Sequence, residues 1–120
     1  MPIPFRRELQ PFLVEFADNH RGVRLGKMFG LPAVYVGRRL FACLIEDGII
    51  VRLPSDIARR ELRAGARPYS QRTRPMGAWV LYQPRSVTAA RRLTPLLEVA
   101  ARHVARKQTE DLTGVRMDRK

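Results

Sequence analysis

Residues 23–54, VRLGKMFGLPAVYVGRRLFACLIEDGIIVRLP, decide how this chain folds. Val34 and Val36 alternate with Ala33 and Tyr35, a two-residue period that belongs to strands. Three breaks divide the apolar runs: Gly30-Leu31-Pro32, Gly37-Arg38-Arg39 and Glu46-Asp47-Gly48. The last carries the Asp-Gly pair favoured in hairpin turns. Connections this short join antiparallel neighbours, because parallel strands need a long crossover. The stretch therefore predicts an antiparallel meander with strands near 23–29, 33–37, 40–46 and 49–53.

Outward from the meander, the pattern becomes helical on the N-terminal side. Phe5, Leu9, Phe12, Leu13 and Phe16 recur at helical spacing, with Arg6, Arg7, Glu8, Glu15 and Asp18 elsewhere on the wheel. Asp18 to Gly22 supplies the stop, and Pro11 should kink or restart this helix. On the C-terminal side, Pro54-Ser55-Asp56 opens a short helix with Ser55 as N-cap and Asp56 in its first turn. Ile57, Ala58 and Leu62 can face inward there, and Gly65 ends the helix.

RPYSQRTRP (67–75) is polar and extended, and AWVLYQP (78–84) is a strong β run. Between them, Pro75 and Gly77 punctuate the chain before the next strand, with Met76 and Trp79 as sheet-packing residues. Residues 86–92 form a helical turn. Thr94 then caps a last helix that starts at Pro95, with Leu93, Leu97, Ala100 and Val104 as its core stripe. Periodicity is lost from Gln108 onward. The order is α-β(4)-α-β(2)-α, an α+β fold with helices packed on an antiparallel sheet. Residues 1–107 make a single domain and 108–120 a flexible C-terminal tail.

At 120 residues and 45% hydrophobic composition, the chain suits one globular domain. Its longest apolar stretch, Leu40 to Ile45, is far too short to span a bilayer. Arginines and glutamates occupy the N-terminal region where a signal peptide would need apolar residues, so a cytoplasmic protein with no membrane contact is expected. The one cysteine, Cys43, sits in an apolar run with no basic group beside it and reads as a buried thiol.

Candidate chemistry is sparse. His20 falls in a turn and His103 in the last helix, neither with a partner at metal-ligand spacing, and both read as surface histidines. Glu46-Asp47 fits a hairpin tip, which is too wet for a general acid. No nucleophile elbow, phosphate loop or dinucleotide motif is present. The expectation is a protein that is not an enzyme, with no catalytic residues, no cofactor and no metal site.

Basic residues are more informative. The formal net charge is +12, and of 23 basic residues only Lys27, Lys107 and Lys120 are lysine. Two readings stand side by side: a polyanion-binding surface, or arginine-rich solvent faces written by a GC-rich genome. Arg59, Arg63, Arg67, Arg72 and Arg74 are the nucleic-acid-binding candidates, with Arg59 and Arg63 on one helix face and Arg72 and Arg74 on one side of a strand. Contacts from such a patch would be blind to sequence and sensitive to salt.

Four pieces together resemble the N-terminal domain of the TfoX/Sxy family, proteins linked to bacterial competence and transcriptional regulation. They are KMFGLPAVYVGRRLFACLIEDGIIVRLP, SDIARRELRAG, ARPYSQRTRPMGAWVLYQP and LTPLLEVAARHVARK. The most specific are Lys27-Met28-Phe29-Gly30, Phe41-Ala42, Gly65-Ala66-Arg67-Pro68, and Arg74-Pro75-Met76 followed by Trp79. The resemblance implies a small α+β domain without catalytic residues or a cofactor. Longer family members carry a second, helical domain, so the resemblance speaks to fold more than to biochemistry. The expected function is a non-catalytic regulatory or protein-interaction module whose partner is another protein, a second copy included, met through a sheet edge or an exposed apolar face. The alternative is sequence-nonspecific nucleic-acid binding through the arginines. An enzyme would need a pocket with convergent polar groups between helices and sheet.

Overall fold

The meander forms, but its connections are Phe29-Gly30, Gly37-Arg38 and Glu46-Asp47, so Leu31, Pro32 and Gly48, expected in breaks, belong to strands. The computed structural model describes residues 4–71 and 74–117. Strands β1 (Val23–Met28), β2 (Leu31–Val36), β3 (Arg39–Ile45) and β4 (Gly48–Arg52) follow one another, then β5 (Arg67–Gln71) and β6 (Arg74–Tyr82). They make one sheet in the order β1-β2-β3-β4-β6-β5, antiparallel throughout. The α+β class expected from sequence is the fold observed.

Cross-strand register explains why the strands read as unbroken apolar runs. Val34 pairs with Ala42, Ala42 with Val51, and Val51 with Val80. This row packs against the helices, α1 (Gln10–Asn19), α2 (Ser55–Arg63), α3 (Val87–Ala90) and α4 (Thr94–Met117). The alternate row, Ala33, Cys43, Ile50 and Leu81, lies on the other face and is also buried. Tyr35, Tyr69 and Trp79 pack around that second row. With both faces of the central strands dry, neither set of alternating positions is free to be polar. Each fully buried aliphatic or aromatic side chain contributes about 1.5–3 kcal/mol.

Helix termini show where local signals held and where tertiary packing adjusted them. Pro11 does restart the first helix: a 3₁₀ turn covers Arg7–Leu9, and α1 begins at Gln10 with Pro11 in its first turn. There a missing N–H has no intrahelical partner to lose. Ser55 is not the N-cap of α2. Pro54 holds that place with φ −56° and ψ 149°, and its carbonyl accepts from the Ala58 N–H at 2.8 Å. Proline suits the position because its fixed φ tolerates an extended ψ. At the other end the Ala66 N–H donates to Glu61 and the Gly65 N–H to Leu62, with Gly65 at φ +110°, a complete Schellman stop.

Thr94 is helical (φ −51°, ψ −46°), continuing from a 3₁₀ turn at Arg91–Leu93, instead of capping a fresh start. The missing N–H of Pro95 still falls in the first turn of α4. The turn before it carries its own cap, the Ser86 hydroxyl accepting from the Ala89 N–H at 3.1 Å. Leu97, Ala100 and Val104 are fully buried, as the stripe predicts. The α4 backbone continues to Met117, past residue 107 where the sequence reading begins a tail. Gln108, Glu110 and Leu112 are good helix formers, so loss of an apolar stripe does not by itself end a helix.

The largest departure concerns residues 74–77. Pro75 and Gly77 do not separate strands but lie inside β6, which pairs with β5 from Gln71↔Arg74 to Arg67↔Leu81. β4 pairs with β6 only over Trp79–Tyr82, and the Leu53 N–H donates to the Ala78 carbonyl just beyond. Residues before Ala78 have β5 alone beside them, so proline there removes nothing from β4. Trp79 is half-buried against the second row, as expected. The Met76 side chain lies outside the described residues.

Candidate functional site

The β1 edge of the sheet ends in an unusual turn. Met28 pairs with Leu31, leaving Phe29 and Gly30 as a two-residue connection in which both have positive φ, 52° and 83°. This is the backbone of a type I′ hairpin, which favours Asn-Gly. A phenylalanine in the left-handed region costs about 1–2 kcal/mol. Its side chain is 81% exposed, so burial within the fold does not offset that cost. Among the described residues the exposed large apolar side chains are Phe29 and Leu25, both in this hairpin. The signal available in sequence was an aromatic residue directly before Gly30, where Asn or Asp is the usual choice.

The other face of β1 is tied down. The Arg24 guanidinium lies 4.6 Å from the Tyr35 ring centre and donates to the Gly37 carbonyl at 3.0 Å. The Tyr35 hydroxyl donates to the Lys27 carbonyl at 2.8 Å. Gly26 gives these groups room, since a Cβ there would stand 3.1 Å from Arg24 and 3.2 Å from the Tyr35 ring.

The predicted arginine surface is partly assembled. Arg59 and Arg63 are exposed one turn apart on α2, and Arg67 is exposed at the start of the edge strand β5, just past the Schellman stop. Arg67 donates to Gln83 Oε1 at 3.3 Å. None of the three has a carboxylate partner among the described residues. Arg72 lies outside the described residues, as does the side chain of Arg74. The one acidic residue in the midst of these arginines, Glu61, is turned away from them. It accepts from the Tyr82 hydroxyl at 2.8 Å, and burial, helped by this bond, pushes the Tyr82 phenol up.

His20 is not the plain surface histidine expected of a turn. Its ring stacks on Phe16 with centroids 3.9 Å apart. Nδ1 lies 2.9 Å from the Phe16 carbonyl and Nε2 lies 2.8 Å from Glu98 Oε2. Both partners are acceptors, so the protonated ring, which donates from both nitrogens, is the form this geometry favours. The Glu98 hydrogen bond accordingly raises the His20 pKa above its ordinary value, with the Phe16 carbonyl assisting. Nothing local in sequence could reveal a pair 78 residues apart.

Nearby, Arg91 donates to both carboxylate oxygens of Glu15 at 3.0 Å, holding that carboxyl below its usual range. Cys43 is fully buried, and burial pushes its thiol up to about 12. Among the described residues, no group of three or more His, Cys, Asp or Glu side chains could hold a metal ion. No described helix is long and apolar enough to cross a membrane. Comparison with family models, curated proteins and solved structures finds no match to this chain.

Proposed function

We propose that this chain is a non-catalytic regulatory module working through protein–protein contact, of the kind the TfoX/Sxy resemblance implies, and that the contact runs along the β1 edge. The observation that carries the reading is Phe29, held in a costly backbone conformation while 81% exposed. Strain of this kind marks binding positions more often than inert surface. An edge strand offers unpaired main-chain donors and acceptors, and Leu25 and Phe29 supply apolar anchors beside them.

A second copy suits this edge. Antiparallel pairing of β1 with itself, centred on Leu25, would set Leu25 against its own equivalent and Lys27 against Val23. No like charges would then face each other. Sedimentation velocity over a concentration series, on wild type, Phe29→Ala and Leu25→Lys, tests the reading. Dimerisation in wild type and its loss in both variants is the expected result. A monomer at every concentration, with pulldowns that recover only nucleic acid, removes it.

The exposed arginines favour a second reading, nucleic-acid binding without sequence preference. It rests on Arg59, Arg63 and Arg67 standing without carboxylate partners beside an inward-turned Glu61. Affinity for a duplex or single strand should then fall steeply with salt, and the slope should become shallower in Arg59→Ala with Arg63→Ala. No binding at low salt would remove this reading.

A further inference from the structure

A cleft of about 320 Å³ opens where the end of α1 and the start of β1 meet α4. Its charged lining is His20, Arg21, Glu98 and Arg102, and Val23 and Val36 form part of its apolar wall. Glu98 is already engaged by His20 at 2.8 Å. Arg21 and Arg102 are both exposed, and neither has a carboxylate partner among the described residues. The two arginines come from different elements, the turn after α1 and the fourth helix, and line one concavity.

We propose that this cleft binds a small phosphate monoester with an apolar body, its phosphate held by Arg21 and Arg102 and its body against Val23 and Val36. The charge balance favours a dianion. With His20 protonated, three cations face one carboxylate, an excess of two, and a phosphate monoester carries a charge of about −1.5 to −2 at neutral pH. Guanidinium groups present paired N–H donors that match phosphate oxygens. His20 has no free N–H for the ligand, because both are committed to Phe16 and Glu98. Its part is to neutralise Glu98, whose charge would otherwise repel the phosphate. The volume falls within the range of small-molecule sites. This inference does not rest on the β1-edge contact: the four charged residues lie outside β1, and the cleft shares with that strand only Val23, its first residue.

The test is a titration of the ¹⁵N-labelled full chain with phenyl phosphate at low salt, following the amides of Gly22, Val23 and Arg102 and the His20 ring signals. Saturable shifts confined to these groups are expected, with affinity about tenfold weaker in Arg102→Ala and unchanged in Arg59→Ala. His20→Gln should also weaken binding by exposing an uncompensated Glu98. Inorganic phosphate, lacking the apolar body, and benzoate, lacking the second charge, should both bind more weakly. Shifts spread evenly over all arginines without saturation would overturn the proposal. So would an Arg102→Ala variant that binds as tightly as wild type, or benzoate matching phenyl phosphate.

Discussion

The His20 imidazole and the Glu98 carboxylate, 78 residues apart in sequence, meet at 2.8 Å and join the end of α1 to α4. Because the Glu98 bond raises the folded-state pKa of His20, protonation favours the folded state. The resulting stabilisation is complete below the unfolded value of about 6.5 and is lost as pH rises through the raised folded value. Denaturation midpoints should show wild type more stable than Glu98→Gln near pH 6, and the gap should close at alkaline pH. The side chains are 27% and 39% exposed, so the gap should stay under about 1 kcal/mol. A gap that widens with rising pH would show the pair to be assigned wrongly.

Phe29 links stability to contact. Asparagine tolerates the left-handed region far better, so Phe29→Asn should stabilise the isolated domain by about 1 kcal/mol. Urea unfolding should show a higher midpoint with an unchanged slope. The same variant should lose the self-association proposed for the β1 edge. A destabilised Phe29→Asn would mean that the aromatic ring contributes to the fold in spite of its exposure.

Gly48 is required by a close approach. A Cβ there would stand 2.1 Å from the Tyr82 carbonyl oxygen, at φ +151°. That oxygen is backbone and cannot swing away, so Gly48→Ala should cost on the order of 2–3 kcal/mol. Gly30→Ala meets nothing within 4 Å and carries only the strain of φ +83°. Chemical denaturation of the two variants should rank Gly48→Ala as the less stable by a clear margin.

Cys43 should be inert in the native protein. It is fully buried, and burial holds its thiol up at about 12, leaving almost no thiolate at neutral pH. Alkylation by iodoacetamide should therefore track global unfolding and accelerate sharply in denaturant. Rapid labelling under native conditions would contradict the buried sheet row that contains it.

Much of the architecture was legible because its causes are local. Gly37-Arg38 announces its hairpin by turn chemistry, and Glu46-Asp47-Gly48 marks the place of the next, although Gly48 itself belongs to β4. Leu97, Ala100 and Val104 announce their buried stripe by period. The exceptions have tertiary causes. Pro75 and Gly77 looked like punctuation because sequence cannot reveal that β4 stops short of them, leaving a stretch of β6 with one neighbour only. Ser55 looked like a cap because its hydroxyl suits one, while Pro54 has the backbone angles that the position needs.

The candidate sites divide the same way. Exposure of Arg59, Arg63 and Arg67 follows from an amphipathic helix and a polar edge strand. The hydrogen bond of Glu61 depends on Tyr82, from a strand far along the chain, and the cleft at Arg21 and Arg102 exists because α4 lies beside the turn that follows α1. By itself the sequence determined the strand and helix inventory, the antiparallel connections and the excess of positive charge, since these depend on neighbours a few residues away. Tertiary structure alone decided that both sheet faces are dry, that Phe29 stands exposed on an edge, and that His20 finds Glu98. Those outcomes depend on contacts between residues far apart in the chain, whose partners are set by packing and not by spacing.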